Sequence, residues 1–205
     1  MIAIIDYDAG NIKSVEKALL YLGQQEKDVV LTREREVIHA ADRVILPGVG
    51  SFRDAMEKLR GYGLEPVIRE YVESGRPFLG ICLGLQLLFE ESEESPGARG
   101  LGLLKGKITK IPEGEGRKVP QIGWNDIRIN PKSRLLSGIP DNSYVYFVHS
   151  YYLTAENRSE VAATTEYGVS IDAAVESGNL FACQFHPEKS SGVGLRILKN
   201  FIELD

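Results

Sequence analysis

Short apolar runs alternate with helix-like segments through the first half of the chain. Strand-like runs occupy residues 3–7, 28–32, 42–51 and 77–82. Between them, residues 10–23 and 52–75 carry apolar side chains at helical spacing, the second with a break near Gly61 and Gly63, and residues 83–92 begin a further helix. Strands that alternate with helices indicate crossover connections, and so predict a parallel sheet with helices on both faces.

The second half is richer in strands. After a polar loop at 90–100, strand-like runs fall at 102–111, 118–129, 143–154, 160–167 and 170–188, and a final helical pattern covers 194–204. Strands that follow one another without helices favour antiparallel structure. We therefore predict an α/β fold, with a mostly parallel central sheet and added antiparallel strands, as a single domain over residues 1–205.

The composition argues against several classes of protein. The chain has 205 residues and a net charge of −5, which argues against a general nucleic-acid binder. No apolar run approaches the ~20 residues of a membrane span, and Met1 leads directly into a strand, so we expect a cytoplasmic protein. In a reducing compartment Cys82 and Cys183 are expected to be free thiols. The histidines and cysteines lack metal-ligand spacing, so no metal and no cofactor is predicted.

Residues 80–84 read Gly-Ile-Cys-Leu-Gly, the spacing of a nucleophile elbow with sulfur in place of oxygen. The glycines permit a sharp turn that presents Cys82 between a strand and a helix. A helix N-terminus favours the thiolate, which is the reactive form of cysteine. The local pattern alone leaves open a small packed cysteine instead of a nucleophile.

His186 is the best candidate for a base beside Cys82. Pro187 biases His186 toward extended geometry, in which side chains two residues apart point the same way. Glu188 is therefore expected beside the ring, where a carboxylate can orient it and stabilise its cation. Of the other two histidines, His39 is expected at the surface, and His149 is either a core residue or a pocket wall.

The glycine-rich turn at residues 46–50 follows the third strand. Acyl transfer needs donors for the oxyanion, and in an elbow one donor is the backbone N–H of the residue after the nucleophile, here Leu83. A second comes from a neighbouring strand end, here the backbone of Val49 and Gly50, where glycine lets the chain approach a ligand closely. By itself the segment is more readily an ordinary glycine turn between a strand and a helix.

Together these motifs resemble the class I glutamine amidotransferases, and the resemblance covers nearly the whole chain. The cysteine elbow and the His-Pro-Glu sequence identify the class. The segments KVPQIGWN (118–125) and YFVHSYY (146–152) resemble, within it, the glutaminase subunits of imidazole glycerol phosphate synthases.

The resemblance implies a flavodoxin-like fold in which Cys82, His186 and Glu188 hydrolyse glutamine through a thioester. It implies that the ammonia passes to a separate (β/α)₈ cyclase subunit, in a heterodimer that makes imidazole glycerol phosphate and AICAR from PRFAR in histidine biosynthesis. It also implies little activity until the cyclase binds its ligand, for which we suggest that the oxyanion donors near Val49 are misdirected at rest.

The resemblance assigns further positions to the substrate and to the partner. Those expected near the substrate are Gln86, Glu94, Gly50, Ser150 and Tyr151, and those expected near the partner are Asn11, Trp124, His149 and Lys189. Gln86 lies one helical turn after Cys82 and can face the same pocket. Glu94 is as readily a solvated residue of an acidic loop. Trp124 is expected in an exposed turn, as an interface residue or, alternatively, in the core.

Three other functions stay open at this point. They are a glutamine amidotransferase of a different synthase, a non-enzymatic module on the same fold, and a cysteine protease or related hydrolase. The Gly-Trp-Asn and YFVHSYY segments disfavour the first, and the intact Cys82, His186 and Glu188 set disfavours the second. The His-Pro-Glu spacing fits the third less well.

Overall fold

The structure, a computed structural model, describes residues 1–114 and 116–204. Its strands are β1 (Ile2–Ile5), β2 (Val29–Thr32), β3 (Arg43–Leu46), β4 (Phe78–Ile81), β5 (Gly106–Lys110), β6 (Gln121–Ile129), β7 (Ser143–His149), β8 (Tyr151–Ala155), β9 (Val161–Glu166), β10 (Ser170–Ser177) and β11 (Leu180–Cys183). Its α-helices are α1 (Ile12–Tyr21), α2 (Arg35–Ala40), α3 (Phe52–Gly61), α4 (Leu64–Glu73), α5 (Leu83–Leu87) and α6 (Ser191–Glu203). None of these helices is long and apolar enough to cross a membrane.

The larger sheet has the strand order β2-β1-β3-β4-β11-β10-β9-β6-β7. The strands from β2 to β11 in this order run parallel, and the pairs from β11 to β7 are antiparallel. This confirms the predicted α/β fold with antiparallel strands in the C-terminal half. The order of the five parallel strands is that of flavodoxin-like sheets. β5 and β8 form a separate antiparallel pair.

Both faces of the parallel strands are buried beneath helices. On one face Ile4 of β1 shares a core cluster with Leu19 of α1 and Phe201 of α6. On the other face Ile5 shares a cluster with side chains of α3, α4 and α5, among them Met56. Because a strand alternates its side chains between faces, continuous apolar runs are needed where both faces are covered. This is why β1 reads as an unbroken apolar run.

Two predicted elements differ from those observed. The helix expected over residues 83–92 ends at Leu87, because the carbonyl oxygens of Leu87, Leu88 and Phe89 accept hydrogen bonds from the backbone of residues 101–104. The strand expected over residues 143–154 is broken at Ser150 into β7 and β8, which belong to different sheets. In both cases a long-range backbone partner decides the outcome.

Strand β11 is the last of the parallel strands, and there it pairs with β4, which lies about a hundred residues earlier in the chain. Cys183 at its carboxyl end lies opposite Ile81 of β4, and the Cys82 N–H donates to the Cys183 carbonyl at 2.8 Å. The residues after β11 therefore meet the residues after β4. Ligands in open α/β sheets bind at these carboxyl ends.

Candidate active site

Cys82 forms a strained turn between β4 and α5. Its backbone has φ 55° and ψ −110°, a conformation that a residue with a side chain rarely adopts. A Cβ on Gly84 would lie 1.9 Å from the Leu46 carbonyl oxygen, and one on Gly80 would lie 2.8 Å from the Gly84 carbonyl oxygen. The elbow predicted from the sequence is therefore present, and close backbone packing requires both of its glycines.

His186 and Glu188 form a buried pair. The His186 Nδ1 lies 2.8 Å from the Glu188 Oε1, and the two side chains are 2% and 0% exposed. The prediction of an extended segment is wrong beyond His186, because Pro187–Lys189 form a 3₁₀ turn. The carboxylate reaches the ring because this turn folds it back, not because the two residues alternate along a strand.

The charge state of His186 follows from these neighbours. Burial disfavours the charged ring, but hydrogen bonds with Cys82 and Glu188, and the charges on both, outweigh it and raise the pKa of His186 from 6.5 to about 9. The ring is therefore protonated near neutral pH. Its proton is available for transfer to a leaving group.

Asn11 is the second donor to the same carboxylate. Its side-chain amide donates to the Glu188 Oε1, and its nitrogen lies 3.5 Å from the His186 Nδ1. Asn11 precedes α1 with φ 73°, and its side chain makes no capping bond to that helix. The position expected at the partner interface is thus also in contact with the His186–Glu188 pair.

A cavity of about 300 Å³ opens beside Cys82. Its lining residues are Val49, Gly50, Cys82, Leu83, Gln86, Glu94, Pro120, Val148, His149, Ser150, Tyr151, His186 and Lys189. The structure therefore brings together every position that the sequence assigned to the substrate and to the oxyanion. Trp124 lies away from the cavity, half-exposed, on strand β6 and not in the turn that was expected.

The glycine-rich turn at residues 46–50, which we call the oxyanion turn, contacts the elbow. The Leu83 N–H, one of the predicted donors, donates to the Gly48 carbonyl at 3.3 Å. The Tyr7 hydroxyl donates to the Pro47 carbonyl at 2.8 Å. Burial first, and then the charge on Cys82, raise the pKa of Tyr7, which keeps this hydroxyl protonated. In this conformation the turn directs the Gly48 carbonyl, and not an N–H group, toward the Leu83 N–H.

Glu94 and Gln86 are held at the cavity by different partners. Glu94 accepts a hydrogen bond from the Phe52 N–H at 2.8 Å, so it is fixed at the first turn of α3. Gln86 is 5% exposed. Its Nε2 donates to the Tyr151 carbonyl at 3.1 Å and to the Gln184 Oε1 at 3.0 Å.

His149 is a neutral member of this wall. Burial, with a smaller effect of the His186 charge, lowers the pKa of His149 from 6.5 to about 4, although its bond to Tyr151 acts in the opposite direction. Its Nδ1 donates to the Tyr151 carbonyl at 2.9 Å. That oxygen now accepts from both His149 and Gln86, which fills its two lone pairs. A substrate contact through Tyr151 would therefore need its N–H.

Comparison with known proteins places this geometry in a family. The family model "Glutamine amidotransferase class-I" matches residues 3–204. The chain belongs to the class-I glutamine amidotransferases.

Within this family the chain resembles one type of subunit. It is 48% identical to the imidazole glycerol phosphate synthase subunit HisH of Caldanaerobacter subterraneus subsp. tengcongensis, over 100% of this chain and 98% of that protein. It is 52% identical to the HisH subunit of Moorella thermoacetica, over 99% of this chain and 94% of that protein. These relatives confirm the predicted subfamily and the enzyme class, the glutamine amidotransferase subunit of imidazole glycerol phosphate synthase.

A solved structure agrees on the fold. The crystal structure of a glutamine amidotransferase superposes with a TM-score of 0.76, covering 99% of this chain and 98% of that one at 23% sequence identity. At this identity the comparison supports the class-I glutamine amidotransferase fold alone.

Sequence reasoning missed three neighbours of the amidotransferase elbow. The amide of Gln184 lies 3.7 Å from the Cys82 sulfur, and the Val148 carbonyl lies 3.8 Å from it. Tyr7 is buried beneath the oxyanion turn. Gln184 alone had a signal in the sequence, because it stands two residues before His186 at the carboxyl end of a strand.

Proposed function

We propose that Cys82 is the nucleophile of a glutaminase in which His186 moves protons and Glu188 holds His186. The sulfur attacks the side-chain amide carbon of glutamine. The carbon–nitrogen bond breaks as His186 gives its proton to the leaving nitrogen, which departs as ammonia. Water then attacks the thioester while His186 takes its proton, the carbon–sulfur bond breaks, and glutamate is released.

The observation that carries this proposal is the strained elbow facing a buried His–Glu pair. The left-handed backbone of Cys82 is costly, by about 1–3 kcal/mol for such a residue, and glycines pack tightly to hold it. The pair beside it keeps a proton near neutral pH. A cysteine needed only for packing would require neither feature.

The cavity supports glutamine as the substrate. Its polar walls offer a carboxylate at Glu94 for the amino group, and amide and backbone groups at Gln86, Ser150 and Tyr151 for the rest. The Ser150 carbonyl already accepts from the Ile111 N–H at 2.9 Å, which fixes this segment of backbone. Gly50, which also lines the cavity, has φ 103°, a conformation suited to glycine.

The oxyanion turn must rearrange before the reaction proceeds efficiently. In the proposed active state the Leu83 N–H and an N–H of Val49 or Gly50 point at the developing oxyanion. With the Gly48 carbonyl on Leu83 that donor is occupied. One oxyanion donor is worth about 10²–10³-fold in rate, so this contact supports a low activity of the isolated chain.

We further propose that a (β/α)₈ cyclase subunit docks on the exposed face of β6 and β7. Ile122, Trp124 and Tyr144 are 63%, 50% and 59% exposed on these strands, and Trp124 packs edge-on against Tyr146. Val148, opposite Ile122 in the register, continues this face to the cavity. Aromatic side chains grouped at one surface are typical of interface hot spots. The exposed Lys189 lines the cavity at the end of the proposed interface, and Asn11 contacts the adjacent Glu188.

In this proposal ammonia leaves the cavity toward the cyclase, which uses it in histidine biosynthesis to form imidazole glycerol phosphate and AICAR from PRFAR. The chain then acts as one domain over residues 1–205 of a cytoplasmic heterodimer. Neither a cofactor nor a metal is needed for the glutaminase step, which uses Cys82, His186 and the backbone donors.

The experiment measures glutamate released by the purified chain alone, with the cyclase, and with the cyclase and its nucleotide ligand. We expect a low rate that rises steeply in the last mixture and disappears in Cys82→Ala. Cys183→Ala is the matched control, because this second cysteine is wholly buried and its thiol donates to the Phe185 carbonyl. Full activity of Cys82→Ala would overturn the proposal. If an active cyclase gave no stimulation, the proposed partner would be wrong, but the proposed glutaminase activity would stand.

A further inference from the structure

Gln184 lies directly behind the nucleophile. It follows β11 and is 0% exposed. Its Nε2 is 3.7 Å from the Cys82 Sγ, and its Oε1 is 3.0 Å from the Gln86 Nε2. A single buried carboxamide thus contacts both the elbow sulfur and a residue of the cavity wall.

The orientation of this amide follows from the Tyr151 carbonyl. A carbonyl oxygen only accepts hydrogen bonds, so Gln86 must turn its nitrogen toward Tyr151. The second hydrogen of that nitrogen faces Gln184, which therefore accepts the hydrogen bond through its Oε1. The nitrogen of Gln184 is then left to point at the sulfur, so the chain of bonds fixes a donor on Cys82.

The other groups that face Cys82 are committed elsewhere or charged. The Tyr7 hydroxyl donates to the Pro47 carbonyl, and the Cys183 thiol donates to the Phe185 carbonyl. His186 supplies a donor whose proton leaves during the reaction. Among the residues that the structure describes around the sulfur, Gln184 is the neutral donor that keeps its protons throughout.

We infer that Gln184 is a positioning residue, whose one carboxamide stabilises the thiolate of Cys82 and holds Gln86 in register with it. The inference rests on the proposed role of Cys82 as the nucleophile. When the sulfur carries a proton it donates to the Val148 carbonyl at 3.8 Å. When the sulfur is a thiolate it accepts from the Gln184 amide, and hydrogen bonds to a charged group are about twice as strong as neutral ones. The amide therefore favours the reactive form.

The test is the pH profile of Cys82 alkylation by iodoacetamide in Gln184→Met, followed on the Cys82 peptide by mass spectrometry. Methionine is unbranched and similar in length but cannot donate to sulfur. We expect about a tenfold slower alkylation at neutral pH, with the midpoint about one pH unit higher. Gln121→Met is the matched control, because Gln121 is also buried (3% exposed) but its amide contacts His149 and not the sulfur. Its alkylation profile should match that of the unaltered chain.

A second readout needs no change at Gln184. The side-chain amide resonance of Gln184 should shift with the same midpoint as alkylation in the unaltered chain, and should not shift in Cys82→Ala. This covers the case in which Gln184→Met fails to fold, which thermal unfolding would reveal.

The possible outcomes separate this inference from the proposed function. Rapid alkylation in both the unaltered chain and Gln184→Met, with one midpoint, would overturn the role of Gln184 and leave Cys82 as the nucleophile. A Gln184 amide resonance that does not shift as Cys82 titrates would also overturn the role of Gln184. Glutamine hydrolysis that survives Cys82→Ala would overturn the proposed function itself, and the inference with it.

Discussion

Replacing Glu188 with glutamine tests whether its charge holds the proton on His186. Glu188→Gln keeps the shape and an oxygen for the ring N–H, but it removes the negative charge. The 2.8 Å bond joins side chains that are 2% and 0% exposed, so water screens it little. A hydrogen bond to a charged group contributes about 1.5–3 kcal/mol, against about 1 for a neutral one. A loss of about 1–2 kcal/mol lowers the pKa of His186 by about one unit.

The assay is an NMR pH titration of the imidazole ring protons. The ring is charged below its midpoint and neutral above it, so Glu188→Gln should move the transition from about 9 to a lower pH. His149 is recognised by its low pKa of about 4, and His39→Gln removes the remaining signal. We also expect glutaminase activity of the complete synthase to fall by about 5–30-fold, which is the rate equivalent of a loss of about 1–2 kcal/mol.

Glu70→Gln is the matched control for this titration. It removes a carboxylate that contacts another histidine, His39, at 3.0 Å, and it should leave the His186 midpoint in place. A His186 midpoint that is the same in Glu188→Gln and in the unaltered chain would refute the reasoning. The cation would then owe its stability to Cys82 alone.

Three further changes test the elbow, the cavity wall and the docking face. Gly84→Ala should destabilise the fold by about 1–3 kcal/mol or more, because the new Cβ would lie 1.9 Å from the Leu46 carbonyl oxygen. Gly192→Ala is the control and should not destabilise it, because no atom lies within 4 Å of its new Cβ. Urea unfolding compares the two variants, and equal stabilities would contradict the packing argument. The His149 pKa of about 4 lies below the unfolded value of 6.5, so its contribution is complete above pH 6.5 and falls by about 3 kcal/mol as pH drops to 4. His149→Asn should therefore flatten the fall in unfolding free energy between these pH values, and parallel curves for the two proteins would show that the ring is not buried in its neutral form. Trp124→Ala should weaken cyclase binding, measured by calorimetry, by about 30-fold or more. Tyr21 is also exposed but lies on α1, so Tyr21→Ala should leave binding unchanged. An equal effect of the two substitutions would show that the cyclase does not dock on β6 and β7.

The features set by short sequence patterns were predictable. The alternation of apolar runs and helical segments gave the parallel half of the sheet, because each strand and its helix are neighbours in the chain. The elbow was predictable for a similar reason, because its residues are neighbours in the chain. Gly80 and Gly84, on the two sides of Cys82, pack so closely against backbone atoms that neither position can hold a side chain. The pairing of His186 with Glu188 was also foreseen, although its 3₁₀ geometry was not, since a proline after His186 is compatible with both a strand and a tight turn.

The features set by distant parts of the chain were not predictable. The end of α5 depends on backbone partners at residues 101–104, and the contact between Gly48 and Leu83 depends on how two loops pack. The sequence signal at Gln184 is its position two residues before His186, and this does not show which way the amide points. Its role becomes visible only when Gln86, almost a hundred positions earlier, is seen to fix its orientation. Hydrogen-bond direction is a property of the assembled network and has no sequence periodicity.

The place of β11 in the sheet has a consequence for synthesis of the chain. β4, which leads into Cys82, pairs with β11, a strand that is made about a hundred residues later. A chain interrupted before β11 possesses Cys82 but lacks Gln184, His186 and Glu188. Such a fragment also lacks the partner to which the Cys82 backbone N–H is bonded. Under the proposed function, chains interrupted before β11 would therefore lack the complete set of catalytic groups, and glutamine would be spared until that strand had been inserted.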